Sequence, residues 1–130
     1  MEKEVKLFLK LLEETKSAVA FTGAGISTES GIPDYRSPGT GLWEKMDQSV
    51  VSLSGFLRNP ENYYSYAMES YPVRAAAEPN TGHYALARLE KKGWLKGVIT
   101  QNVDGLHTKA GSENVFELHG SSGRTVGKID

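Results

Sequence analysis

"AVAFTGAGISTESGIPDYR", residues 18–36, joins a short apolar run to a turn that contains Gly23 and Gly25. The apolar run, residues 18–22, predicts a buried strand. Glycines after such a strand often bind a phosphate group, because the missing Cβ lets backbone N–H groups approach it. The spacing departs from the dinucleotide fingerprint G-x-G-x-x-G, however, since Thr28 occupies the third glycine position. The stretch therefore predicts a strand followed by either a phosphate-binding turn or a simple tight turn.

The composition is that of an ordinary globular chain and argues against several classes of function. Of 130 residues, 38% are hydrophobic and 24% are charged, and 15 Lys and Arg against 16 Asp and Glu leave a net charge of −1. No basic block stands out, so we expect no nucleic-acid or membrane binding through bulk charge. The sequence contains no cysteine, which excludes disulfides and thiolate metal sites within it. The chain shows neither an apolar run of membrane-spanning length nor a signal-peptide core, so we expect a cytoplasmic location.

Helix and strand patterns alternate along the chain. Strands separated by helical crossovers predict an α/β fold, a Rossmann-like parallel sheet with helices on both faces, incomplete here at about three strands. We expect one partial domain over residues 1–120, with a loop and helical insertion at about 31–78 and an irregular tail at 121–130. The patterns predict helices at 2–15, after Asn59-Pro60, after Pro79-Asn80 and within 103–110, strands at 18–22, 94–100 and 114–118, and a long loop from Gly31 to about Leu53.

Polar, turn-forming residues follow each of the three predicted strands, as T-G-A-G, T-Q-N-V-D and L-H-G. Parallel strands bring their carboxyl ends to one edge of the sheet, which is where ligands bind in such folds. His119, at the third of these ends, could act as a base near neutral pH, although a lone histidine is more often structural. Asp34 and Arg36 could equally be a solvated loop pair. For His83 and His107 we expect helix packing or capping.

Four motifs together resemble the sirtuin family, the NAD-dependent protein-lysine deacylases. They are GAGIS at 23–27, GIPDYR at 31–36, TQNVDGLH at 100–107 and ELHG at 117–120, and PNTGHYALARLEKKG at 79–93 is also similar to the family. Their order and intervals match those of sirtuins. The resemblance extends over most of this chain but over only the first half of a complete sirtuin domain.

The resemblance implies that NAD is bound and consumed, and that an acetylated lysine of a protein or peptide is the second substrate. It implies that His119 and Asn102 are catalytic, with His119 acting as general base on a ribose hydroxyl after nicotinamide has left. It further implies a set of cofactor-binding residues in the glycine turn, the cofactor loop and the nicotinamide pocket. These are Gly23, Ala24, Gly25, Ser27, Asp34, Tyr35, Arg36, Gln101, Asn102, Val103, Asp104 and His119.

The chain also departs from the sirtuin pattern. Zinc is expected for the family, but this sequence offers no cysteine ligands, and the later strands of the family's sheet are missing. We therefore expect a truncated NAD-dependent protein deacetylase. The alternative is a non-catalytic fragment that binds NAD weakly, or that completes its sheet with a partner or by self-association through the unpaired edge.

Two further readings of the sequence concern specificity and reaction class. Tyr71 and Arg74 have the spacing of the pair that binds acidic acyl groups in some sirtuins, but they lie closer to Pro79 than that pair does. A plain deacetylase is therefore favoured. A nicotinamide oxidoreductase is disfavoured, because the fingerprint is incomplete and no acidic residue ends a second strand about 20 residues later.

Overall fold

The computed structural model describes residues 1–15, 17–39 and 41–123. The three strands are β1 (Ala18–Thr22), β2 (Leu95–Thr100) and β3 (Val115–Glu117). The helices are α1 (Glu2–Thr15), α2 (Leu42–Lys45), α3 (Leu53–Arg58), α4 (Pro60–Ala76), α5 (Thr81–Lys91) and α6 (Leu106–Lys109), with 3₁₀ helices at Ala24–Ser30 and Gln48–Val51.

The elements confirm most of the sequence expectations and correct one, the long loop. The segment predicted as a long loop contains α2, the second 3₁₀ helix and the start of α3, because local caps organise it: the side chain of Asp47 accepts a hydrogen bond from the backbone N–H of Ser49 at 2.8 Å. Asn59 does occupy the N-cap position of α4, but its side chain makes no capping hydrogen bond. The tail predicted as irregular, 121–130, lies outside the described residues from 124 onward.

The sheet is parallel throughout and has the order β1-β2-β3, with β2 in the centre. The two crossovers carry the helices, so the carboxyl ends of all three strands lie at the same edge. Thr22 pairs with Thr100, and Thr100 pairs with Glu117, which places the last residues of the strands in one row. The loops that follow the three strands therefore start side by side at this edge of the sheet.

A bulge in β2 shifts its register against β1. Ala18 pairs with Leu95 but Ala20 pairs with Val98, so β2 contains one extra residue between these pairs. Gly97 lies in the bulge, where a Cβ would be 2.5 Å from the backbone oxygen of Asn114. This position therefore requires glycine, because there is no room for a Cβ atom.

The two faces of the sheet differ in their environment. On one face, α5 covers β2, and Val98 is completely buried. On the other face, Phe21, Ile99 and Phe116 form a row across the three strands, and Phe21 and Phe116 are 65% and 62% exposed. This outer row leaves an apolar surface uncovered in the described part of the chain. No helix within that part has the length and apolar character needed to span a membrane.

Candidate active site

A cavity of about 750 Å³ lies beyond the carboxyl ends of the strands. It confirms the expectation that the three strand ends meet, because residues of the loops after β1, β2 and β3 line the same space. Every cofactor-binding or catalytic residue suggested by the sequence lines this cavity: Gly23, Ala24, Gly25, Ser27, Asp34, Tyr35, Arg36, Gln101, Asn102, Val103, Asp104 and His119. Whether each of them contacts a ligand stays a prediction.

His119 is held at the cavity by a hydrogen bond to the backbone. Its Nδ1 lies 3.0 Å from the carbonyl oxygen of Gln101. A carbonyl oxygen can only accept, so Nδ1 carries the proton. In the neutral ring this leaves Nε2 unprotonated, and Nε2 is then the atom that can accept a proton from a ligand.

The side-chain amide of Asn102 joins the loop after β2 to the glycine turn. Its Nδ2 donates to the carbonyl oxygen of Gly23 at 3.1 Å and to Oγ of Ser27 at 3.2 Å. Both amide protons are thereby used. The acceptor Oδ1 is the atom of this side chain that stays available to a ligand.

Ser27, which is almost fully buried, connects Asn102 to a carboxylate and to a histidine. Its Oγ donates to Oδ2 of Asp104 at 2.7 Å, and Nε2 of His83 lies 3.5 Å away. The other carboxylate oxygen, Oδ1, accepts from the backbone N–H of Leu106 at the start of α6. Asp104 is therefore fixed by two protein partners while it lines the cavity.

His83 and His107 are both buried behind the cavity, at 0% and 1% exposure. Burial lowers the pKa of each imidazole, because the charged form would lose its hydration. The neighbouring His83 lowers the pKa of His107 further. The carboxylate of Asp104 opposes both shifts, because it favours the charged form of each ring. His83 also completes a capping box, since its Nδ1 accepts from the backbone N–H of Asn80 at 3.2 Å. The expectation of packing or capping for both histidines is confirmed.

The loop after the first 3₁₀ helix is ordered by its own aspartate. Both carboxylate oxygens of Asp34 accept hydrogen bonds from Ser37, one from the backbone N–H at 3.2 Å and one from Oγ at 2.8 Å. Burial raises the pKa of Tyr35, the next residue, and the nearby Tyr66 raises it further. Tyr66 of α4 is thus close enough to Tyr35 to influence it electrostatically, and Asp34 is more than a solvated charge.

Of the wall that α4 contributes to the cavity, the sequence singled out only Arg74, as the partner of Tyr71. Tyr66, Ser70, Val73 and Arg74 line it, and their spacing of three and four residues was the available signal. Nε of Arg74 is buried without a hydrogen-bond partner in the described part of the chain. Tyr71 is 66% exposed and lies outside this wall, so the Tyr71–Arg74 pair considered from the sequence does not form a site.

Within the described residues, no group of three or more His, Asp or Glu side chains is arranged to hold a metal ion. The sequence also offers no cysteine. The zinc that the family resemblance implies therefore finds no fitting ligand set here, and no step of the chemistry is assigned to it.

Comparison with known proteins agrees with this geometry. The family model described as "Sir2 family" matches residues 23–126. The chain is 50% identical over 114 residues to NAD-dependent protein deacetylase 2 of Caldanaerobacter subterraneus subsp. tengcongensis. The alignment covers 87% of this chain and 46% of that protein. It is 52% identical over 122 residues to NAD-dependent protein deacylase 2 of Archaeoglobus fulgidus, covering 93% of this chain and 47% of the relative.

Among solved structures, one of Sir2 with a p53 peptide and NAD⁺ superposes with a TM-score of 0.80 at 47% identity. The alignment covers 89% of this chain and 45% of that one. The chain thus spans about half the length of the curated relatives and of the structure that it matches.

Proposed function

The chain belongs to the Sir2 family, the sirtuins, and from this we propose that it supplies the NAD-binding and proton-accepting residues of an NAD-dependent protein-lysine deacetylase. One observation carries the proposal: the glycine turn after β1 and the imidazole of His119 after β3 line one cavity. A similar structure that holds a p53 peptide and NAD⁺ supports the same two ligand classes here.

The residues at the glycine turn fit the pyrophosphate of NAD. The 3₁₀ helix begins at Ala24, and the first backbone N–H groups of a helix have no partner within it. Space is also available, because a Cβ built on Gly25 would meet nothing within 4 Å. The cavity volume lies in the range of about 300–1,000 Å³ that small-molecule sites occupy.

The cofactor, when bound, would supply the ribose carbon, which would bond to the acyl oxygen of the modified lysine as its bond to nicotinamide breaks. The residues of this chain would orient the ligands and move one proton. Nε2 of His119 would accept the proton of a ribose hydroxyl, while its Nδ1–H stays bonded to Gln101. Oδ1 of Asn102 would face the positive charge that develops on the ribose, a preorganised dipole of the kind that stabilises transition states.

The substrate is proposed to be an acetylated lysine. The wall of the cavity at α4 carries Tyr66 and Ser70, and the Tyr71–Arg74 pair that would indicate an acidic acyl group is not assembled. The cytoplasmic location expected from the sequence also stays a proposal, which fractionation of the source cells with an antibody against this chain would test.

A nicotinamide-release assay with this chain and an acetyl-lysine peptide tests the function. We expect sustained nicotinamide release with the unsubstituted chain. Because His119 would act only after nicotinamide has left, His119→Ala should stop sustained release and yield no deacetylated peptide. Calorimetry with NAD separates the steps, since binding without turnover would support the weak-binding fragment instead. Absence of both binding and release would contradict the proposed function.

A second candidate, assembly with another chain, is favoured by the outer row of Phe21, Ile99 and Phe116. An exposed apolar row on a sheet commonly marks a surface that another element covers. Light scattering over a range of concentrations would test self-association. We expect Phe116→Lys to shift the chain toward the monomer, and a mass that is independent of concentration would contradict this candidate.

A further inference from the structure

A chain of hydroxyl groups connects a buried histidine to the loop that carries Asn102. Nε2 of His107 lies 2.9 Å from Oγ1 of Thr22, which donates to Oγ1 of Thr100 at 2.8 Å. Oγ1 of Thr100 also accepts the backbone N–H of Asn102 at 3.1 Å. Asn102 lines the cavity, whereas His107 and the two threonines lie behind it.

The direction of these hydrogen bonds fixes the protonation of His107. The single hydroxyl proton of Thr22 is given to Thr100, so Thr22 can only accept from the histidine, and Nε2 must carry a proton. Nδ1 of His107 is buried and has no hydrogen-bond partner in the described part of the chain. A second proton there would be a buried, unpaired donor, so the ring is neutral in its Nε2–H form.

The same loop is anchored a second time by the side chain of Asn102. Its amide protons bond to the carbonyl oxygen of Gly23 and to Oγ of Ser27. The hydroxyl chain fixes the backbone of the residue, and the amide bonds fix its side chain. Oδ1 can keep one direction only if both anchors hold, because a free backbone N–H would let the loop rotate after the end of β2.

We propose that His107 is a positioning residue, which orients Asn102 toward the cavity through the hydroxyl groups of Thr22 and Thr100. The inference rests on the proposed function, because its consequence for a ligand is tighter binding of NAD. A role in packing alone would require only the volume of the ring. The positioning role requires a donor at the place of Nε2.

Two variants at one position separate these roles in the 130-residue chain. His107→Gln retains an N–H donor on a side chain of similar length, whereas His107→Leu fills the space without one. We expect His107→Leu to move the amide resonances of Asn102 in the ¹⁵N spectrum and to weaken NAD binding about tenfold. His107→Gln should stay within about twofold of the unsubstituted chain.

Thr22→Val interrupts the same chain at its middle and keeps the side-chain shape. It should reproduce the effect of His107→Leu, and the double variant should be no weaker than either single one, because both remove one interaction. Leu106→Ala is the matched control, since it opens the neighbouring buried position and leaves the hydroxyl groups in place. It should leave the Asn102 resonances unchanged.

Unchanged NAD affinity and unchanged Asn102 resonances in His107→Leu would overturn the proposal. An equal loss of affinity in Leu106→Ala would overturn it too, since destabilisation would then explain both. If the unsubstituted chain fails to bind NAD, the proposed function fails, but the Asn102 resonances still decide whether His107 positions this residue.

Discussion

The rings of His83 and His107 lie edge to face with their centroids 4.9 Å apart, and both are buried. Each ring approaches a hydroxyl group through Nε2, His83 that of Ser27 and His107 that of Thr22. Two hydrogen-bond chains that reach Asn102 therefore start from this pair of rings. A charge on either ring would disturb the other.

We expect the free energy of unfolding to decrease as the pH falls below about 6.5, the usual pKa of histidine in an unfolded chain. Burial lowers the pKa of both rings, so the unfolded state takes up protons that the folded state does not bind. Stability is thus complete above pH 6.5 and is lost toward the lower folded-state pKa values, at up to about 1.4 kcal/mol per pH unit for each histidine.

Urea unfolding at several pH values between 7.5 and 5.0 measures this slope. The variant His107→Gln removes one of the two groups and should flatten it. A slope that is the same in this variant would show that His107 does not contribute to the dependence.

Replacing His119 by Asn should separate binding from catalysis. The amide of Asn can donate to the carbonyl oxygen of Gln101 as Nδ1 does, but it offers no base in place of Nε2. NAD affinity should stay within about twofold, while NAD-dependent deacetylation of a peptide falls by roughly 10²–10⁴. Calorimetry and a peptide assay give the two quantities. Activity retained in the variant would exclude His119 as the general base.

Two glycine substitutions should have opposite effects. Gly97→Ala places a Cβ 2.5 Å from the oxygen of Asn114 and should destabilise the fold by about 1–3 kcal/mol. Gly25→Ala meets no protein atom within 4 Å, so stability should hold, but the added methyl group would occupy space at the cavity, where we propose that the pyrophosphate binds. NAD affinity should then fall about tenfold or more. Denaturation and calorimetry on both variants measure this, and a stable Gly25→Ala with full affinity would place the pyrophosphate elsewhere.

The guanidinium of Arg74 gives the α4 wall a positive charge whose Nε has no hydrogen-bond partner in the part of the chain that the structure describes. Arg74→Met keeps the length and removes the charge. We expect ADP-ribose to bind about tenfold more weakly and nicotinamide, which has no phosphate, to bind unchanged. Unfolding free energy should not decrease, because an unsatisfied buried donor contributes nothing to stability. Equal affinity for ADP-ribose in both chains would contradict this role.

The sequence predicted the elements around the sheet well, because periodicity and caps are local signals. The helix predicted after Pro79-Asn80 is α5, and the structure confirms its start, where the side chain of Asn80 accepts from the backbone N–H of Gly82. The prediction of a long loop from Gly31 to Leu53 was wrong, because the local signals in this segment are weak. Its short helices lack apolar periodicity and depend on caps of one or two hydrogen bonds, such as that of Asp47.

By itself the sequence determined that three strands end in polar turns and that Gly23, Asn102 and His119 lie at one edge of the sheet, because parallel strands share an edge. Only the tertiary structure decided which atoms at that edge are free. The tautomer of His119, the orientation of the Asn102 amide and the link from His107 through the threonines all depend on hydrogen bonds between residues distant in sequence. Local patterns carry no information about such partners, since the partners meet only once the sheet has formed.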